Sequence, residues 1–203
     1  MSYPALSTTI QGLRQRPFNR WRGLVLGSVG GAAGTLIMGL YFKAIKRLTS
    51  DAEQPSSQPA THNTGVHALD DISLIGKHYQ AGEDSTIVIG RIAYQTLVGV
   101  APKSQETKAL LGQAVHWSFG VSMGALYGIL RDTPDWPDLG GGLIFGASVW
   151  LFASELMLPL LGVAPGPTKS PVQKHAQEFG AHLLYGAVVA AVAQLVQRLF
   201  ARK

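Results

Sequence analysis

The chain has 203 residues, of which 46% are hydrophobic and 14% charged, with 24 glycines and no cysteine. A globular domain carries about 25% charge, so the composition argues against a soluble enzyme, and the lack of cysteine removes disulfides, thiolate metal ligands and thiol chemistry together. The excess of 17 basic over 12 acidic residues does not point to nucleic acid, because the basic residues sit at the ends of apolar segments, where anionic headgroups lie, and not on one aromatic-lined face.

Residues 1–22 read as a basic N-terminal segment with Arg14, Arg16, Arg20 and Arg22, ending beside Trp21, an interfacial anchor. Residues 23–43 follow as a first membrane span. The apolar run over 23–42 is longer than a signal-peptide core and is bounded by Lys43, which predicts a retained span. Gly23, Gly27 and Gly31 line one face of it and Gly30 and Gly34 another, so a neighbouring backbone can approach closely. Residues 44–64 form a linker, rich in Pro, Ser and Gln over 51–64. Over 65–103 two amphipathic pieces are predicted to lie on the membrane surface. The first runs over 67–80 with Leu69, Ile72 and Ile75 at helical spacing; the second runs over 85–98 with Val88, Ile92 and Leu97 and stops at Gly99 and Pro102.

Ser104 is predicted to cap a second span over 104–130, which carries Gly120, Gly124 and Gly128 in one line. The short acidic turn over 131–138 makes the second and third spans antiparallel neighbours. The third span, 139–163, holds Gly142 and Gly146, then Glu155 and Pro159, and is stopped by Pro165-Gly166-Pro167. Ser170, Pro171 and Gln173 start a fourth helix over 170–200, which contains Gly186. An internal echo at an offset of 119 residues places Gly23, Leu24 and Gly27 on Gly142, Leu143 and Gly146. The fold class expected is all-α, a polytopic membrane protein of four spans with surface helices in its first large loop.

The uncharged lengths isolate a few polar residues. Counting 1.5 Å per residue from the helix ends puts His116, Glu155 and His182 at comparable depth, about 12–18 Å in. Gln113 precedes His116 by three residues, and His175, Glu178, His182 and Tyr185 share one stripe of the fourth helix. An acid in mid-membrane needs a partner inside the bundle, and His182 or His116 is the expected one. Three readings stay open: hydrogen bonds that fix helix register, a proton or small-solute path using His and Glu155, and a metal site. The last lacks any recognised spacing, the HExxH motif included. No nucleophile–base pair, phosphate loop or dinucleotide fingerprint is present, so no enzyme, cofactor or metal is expected.

HWSFGVSMGALYG at 116–128, Glu155 followed by Pro159, and the P-x3-H-x6-H-L-x-Y-G run from Pro171 to Gly186 resemble the YagU-type inner-membrane proteins of bacteria, over roughly 85–186. The resemblance implies a multi-pass protein of the bacterial inner (cytoplasmic) membrane, with His116, Glu155, His175 and His182 in the shared polar set. It supplies no mechanism. Two functions are therefore expected. The first is a packing or assembly role through the glycine lines, with the lipid bilayer and other membrane subunits or a second copy as partners. The alternative is a small transporter or proton path through the His/Glu cluster.

Overall fold

The computed structural model describes residues 20–52, 72–80, 83–131 and 139–201, and all regular structure among them is helical. The helices are α1 (Arg20–Ala52), α2 (Ser85–Val98), α3 (Gln105–Leu130), α4 (Leu139–Val149), α5 (Leu158–Leu160) and α6 (Val172–Ala201). A π-helical stretch, Trp150–Met157, joins α4 to α5. Three of the helical lengths are long and apolar enough to cross a membrane: Arg20–Thr49, Leu139–Leu160 and Val172–Val196. Helix α3 has 26 residues, enough in length, but Gln105, Glu106, Lys108, Gln113, His116, Ser118 and Ser122 lower its hydropathy and it is not among the three. The basic N-terminal segment before Arg20 and the linker after Ala52 lie outside the described residues, as does the 131–138 turn beyond Arg131.

Caps set several helix ends. Asp84 accepts the Thr86 N–H at the start of α2, and Ser104 accepts the Thr107 N–H at the start of α3. Gly99 ends α2 in the left-handed region at φ 81°, where its N–H returns to the Gln95 carbonyl. The helix expected over 67–80 does not form in its described part. Residues 72–80 run irregularly, because they bond outward instead of along their own axis: Leu74 donates to the Leu160 carbonyl at 2.9 Å and His78 to Gly162 at 2.7 Å. This strap lies against the end of α5, where Gly162 turns the chain at φ 62° with no room for a side chain beside the Gly76 carbonyl and Ser73 Oγ. The third apolar helix therefore ends at Leu160, before the Pro165-Gly166-Pro167 stop.

Pro159 explains the π stretch. It has no N–H for the carbonyl of Glu155, and the turn before it widens, so that the Leu158 N–H reaches back five residues to Ala153.

The helices pack mainly in the order α2, α3, α1, α6, α4. Helix α2 packs on α3, α3 on α1, α1 on α6, and α6 on α4. The expected pairing of the second and third spans is replaced by a single corner, where the rings of Tyr127 and Phe145 meet at 5.0 Å. Glycine decides this order. Gly23, Gly27 and Gly31 of α1 meet the backbone of Gly128, Gly124 and Gly120 of α3, so α3 is held by α1. The second glycine line of α1, Gly30 and Gly34, receives Val189 and Tyr185 of α6. On the other side of α6, Gly186 meets Gly142 and Gly146 of α4. The 119-residue echo has a spatial counterpart, since Gly23 and Gly27 contact the Gly128 of one Leu-Tyr-Gly while Gly142 and Gly146 contact the Gly186 of the other. Met38, Tyr127, Ala181, Tyr185, Val189 and Ala190 form the core at the meeting of α1, α3 and α6, with Tyr127 2% and Tyr185 3% exposed.

Candidate functional site

Above that core the helices part around a cavity of about 420 Å³. Thr35 and Met38 of α1, Asp84 and Ile89 at the start of α2, and His116, Phe119 and Met123 of α3 line it. Glu155 and Leu158 face it from the π stretch and α5, and His175, Glu178, His182 and Tyr185 from α6. From His175 to Tyr185 the wall of α6 runs about 15 Å along the helix axis. The floor is polar but closed: the Tyr185 hydroxyl donates to the Gly120 carbonyl at 2.5 Å, and the buried Thr35 hydroxyl donates to Gly31 at 2.8 Å.

Glu155 does not pair with His182 or His116. Its Oε1 lies 2.7 Å from Nδ1 of His175, whose Nε2 is 2.9 Å from the Pro167 carbonyl. The depth estimate placed the helix ends at 163 and 170; with the ends at Leu160 and Val172, Glu155 and His175 come level near one mouth of the membrane segment. A carbonyl only accepts, so Nε2 of His175 carries a proton. The Nδ1···Oε1 contact then holds one further proton, either as an imidazolium–carboxylate pair or as a neutral imidazole with a protonated acid. The pair is neutral overall in both forms, which removes most of the cost of an acid at that depth.

The remaining polar residues are less occupied. His182 Nδ1 donates to the Glu178 carbonyl at 2.7 Å, which leaves Nε2 as an acceptor. His116 has no hydrogen-bond partner among the described residues. Glu178 has the Lys174 ammonium at 3.8 Å, with that lysine side chain 52% exposed, an arrangement worth little in energy. Gln113 is exposed and does not line the cavity, because the start of α2 packs over its neighbour Gly112 through Ile87 and Thr86. Asp84 and Thr35 are among the lining residues that the sequence reading did not single out; Asp84 lies in a loop, and Thr35 stands within a glycine-rich length of α1. Trp150 packs edge-on against Phe179 at 4.9 Å and keeps a buried indole N–H without a partner among the described residues.

Outside the apolar helices, a second polar group braces the mouth. Both carboxylate oxygens of Glu83 receive the Arg91 guanidinium, at 3.1 and 3.2 Å, while Arg91 also donates to the His78 carbonyl of the strap at 2.7 Å. Burial by itself would push the Glu83 carboxyl up, but the Arg91 hydrogen bonds, the Gln80 N–H and the charges of Arg91 and Lys108 outweigh it and hold it below the ordinary value of 4.5. Among the described residues no three of His, Asp and Glu converge to hold a metal ion.

Regular structure that is all helical among the described residues, with three lengths able to cross a membrane, marks the chain as a membrane protein. Residues 99–191 match a family described as a protein of unknown function (DUF1440), a stretch that runs from the end of α2 into α6 and contains His116, Glu155, His175 and His182 but not α1. No curated protein and no solved structure matches the chain.

Proposed function

We propose that the chain is an integral membrane protein of four spans, α1, α3, α4–α5 and α6, with α2 at the surface, and that its activity resides in the cavity as a one-sided chamber for a small solute. The observation that carries this reading is the convergence of titratable side chains from α2, α3, the π stretch and α6 on one space that ends at Tyr185. Helix α3 is the span whose polar residues lower its hydropathy, and His116, one of them, faces the chamber and not lipid. Placement in a bacterial inner membrane is supported by the YagU-type resemblance. A transporter uses such a chamber by exposing it to one side at a time, and the lining offers charge, hydrogen bonds and apolar walls for that role.

The assembly reading rested on the glycine lines. Gly23, Gly27, Gly31, Gly120, Gly124, Gly128, Gly142, Gly146 and Gly186 all meet other helices of the same chain, so these rows give it no support. An oligomer or a larger complex would have to use other surfaces.

The test is reconstitution of the full chain into liposomes loaded with a pH-sensitive dye. Solute-dependent proton movement or uptake is expected, slowed at least tenfold by Glu155→Gln or His182→Ala in protein that keeps its helical circular dichroism. Absence of any wild-type flux, together with absence of ligand-induced stabilisation, would sink the chamber reading.

A further inference from the structure

The hydrogen-bonding capacity left over in the chamber has a sign. Both Glu83 oxygens are held by Arg91, and Asp84 Oδ1 receives the N–H and hydroxyl of Thr86 at 2.8 and 2.6 Å. The Tyr185 hydroxyl already donates to Gly120, and Lys174, the sole cation among the lining residues, sits at the mouth beside Glu178. What remains toward the space is mostly acceptor: Oε2 of Glu155, the carboxylate of Glu178 and Nε2 of His182. An anionic ligand would meet Lys174 and the ring N–H of His116, whereas a positively charged N–H donor would meet the acidic side chains of Glu155 and Glu178 and an imidazole lone pair.

The rest of the wall is apolar, and on one side it is unfinished. Met38, Ile89, Met123, Val149 and Leu158 line the interior. Phe119 on α3 and Met157 on the π stretch line the same space and are 41% and 54% exposed, and these two elements are not among the closely packed helix pairs. Both side chains are apolar and exposed at the rim of the space. We propose that the chamber takes an alkylammonium amphiphile, its charged nitrogen held between Glu155 and Glu178 near His182 and its apolar body running out past Phe119 and Met157. This rests on the chamber being a binding site. The same head chemistry is carried by a free amine and by an amine-headed lipid, and the test separates them.

The full chain in maltoside micelles is titrated with decylamine, decanol and decanoate, following intrinsic tryptophan emission and the melting midpoint. Saturable binding of decylamine is expected at least tenfold tighter than either of the others. Glu178→Gln is expected to weaken it at least tenfold while leaving the helical circular dichroism and the ligand-free midpoint unchanged, and Glu155→Gln, which retains a hydrogen-bonding side chain beside His175, to do the same. If decanol binds as well as decylamine, the apolar walls do the binding and the ammonium proposal is overturned while the chamber reading stands. If none of the three binds and liposome flux is absent, both fall. Native mass spectrometry assigns the source. An amine-headed phospholipid released by decylamine identifies the lipid, and lipid-free protein that takes up decylamine identifies a free amine. A lipid that stays bound at full decylamine occupancy puts the amine outside the chamber and refutes the proposal.

Discussion

Gly128→Ala sets the intrachain glycine contacts against their absence. A methyl group at Gly128 would lie on the Gly23 carbonyl and 2.9 Å from the Cα of Gly27, well inside the 3.4 Å at which ordinary contact begins. Helices α1 and α3 must then separate by roughly 1 Å, and a gap of that size forfeits about a quarter to a half of each contact worth about 0.15 kcal/mol. Over some tens of atom pairs along the crossing the loss is about 2 kcal/mol, within the usual range for overpacking. The better helix propensity of alanine returns up to about 1 kcal/mol, leaving a net destabilisation of about 1–2 kcal/mol. Gly39→Ala is the control: a methyl group there has nothing within 4 Å, so the propensity gain stands alone and the sign reverses. Equilibrium unfolding of the full chain in mixed micelles, read by circular dichroism, measures both. Equal stability of Gly128→Ala and the wild type would refute the packing argument. So would a Gly128→Ala protein of unchanged stability whose oligomeric mass falls, since the glycine rows would then pair between chains.

Two further predictions concern charge. Because the folded Glu83 carboxyl is held below 4.5, its ion pair with Arg91 contributes fully at neutral pH, and the contribution disappears as pH falls through the lowered folded value. Hydrogen-exchange protection factors at the Leu74 and His78 amides, taken relative to the intrinsic rate at each pH, are therefore expected to fall as the Glu83 carboxyl protonates in acid, and Arg91→Gln to show the lowered protection already at neutral pH; strap protection independent of both would reject the bracing role. For the partly buried Glu155–His175 pair, His175→Ala leaves the carboxyl group without its partner and should cost about 1–3 kcal/mol, whereas the double change with Glu155→Gln should recover much of that. A double-mutant cycle with coupling below about 0.5 kcal/mol would contradict a shared proton.

What was legible in the sequence follows the range of the interaction responsible. Ser104 and Gly99 fix helix ends through atoms a few residues away, so the caps could be read directly. The glycine lines showed that backbones approach closely, but not which backbones. That depended on two lines of α1 facing different neighbours, which leaves α3 and α4 apart despite their short connection. The 67–80 segment has helical periodicity, yet its backbone bonds go to Leu160 and Gly162, residues that no local pattern could name. Glu155 stood out as the lone acid in an uncharged length, but its partner turned on a helix end shortened by three residues through Gly162. Small errors in helix length become changes of partner when candidates are spaced one or two turns apart.

The chamber lies where it does because residue size changes along each helix at the same height. In α1 the sequence passes from Gly23, Gly27, Gly30, Gly31 and Gly34 to Thr35, Met38 and Phe42. In α3, running the other way, Val115, His116 and Phe119 precede Gly120, Gly124 and Gly128, and in α6 His175, Glu178 and His182 precede Gly186. In α4, Gly142 and Gly146 come before the π stretch with Glu155. Glycine ends let backbones touch and leave no volume, while larger side chains at the opposite ends hold the helices apart. The glycines that meet other backbones thus gather toward one end of these helices, and the chamber's polar residues toward the other. If the chamber passes a solute as proposed, backbone contact below Tyr185 and Thr35 closes the path, and passage to the far side requires α1, α3, α4 and α6 to exchange those contacts, not merely a side chain to swing. A flux abolished by bulky substitutions at Gly124 or Gly186 but retained in Tyr185→Phe would follow from that geometry.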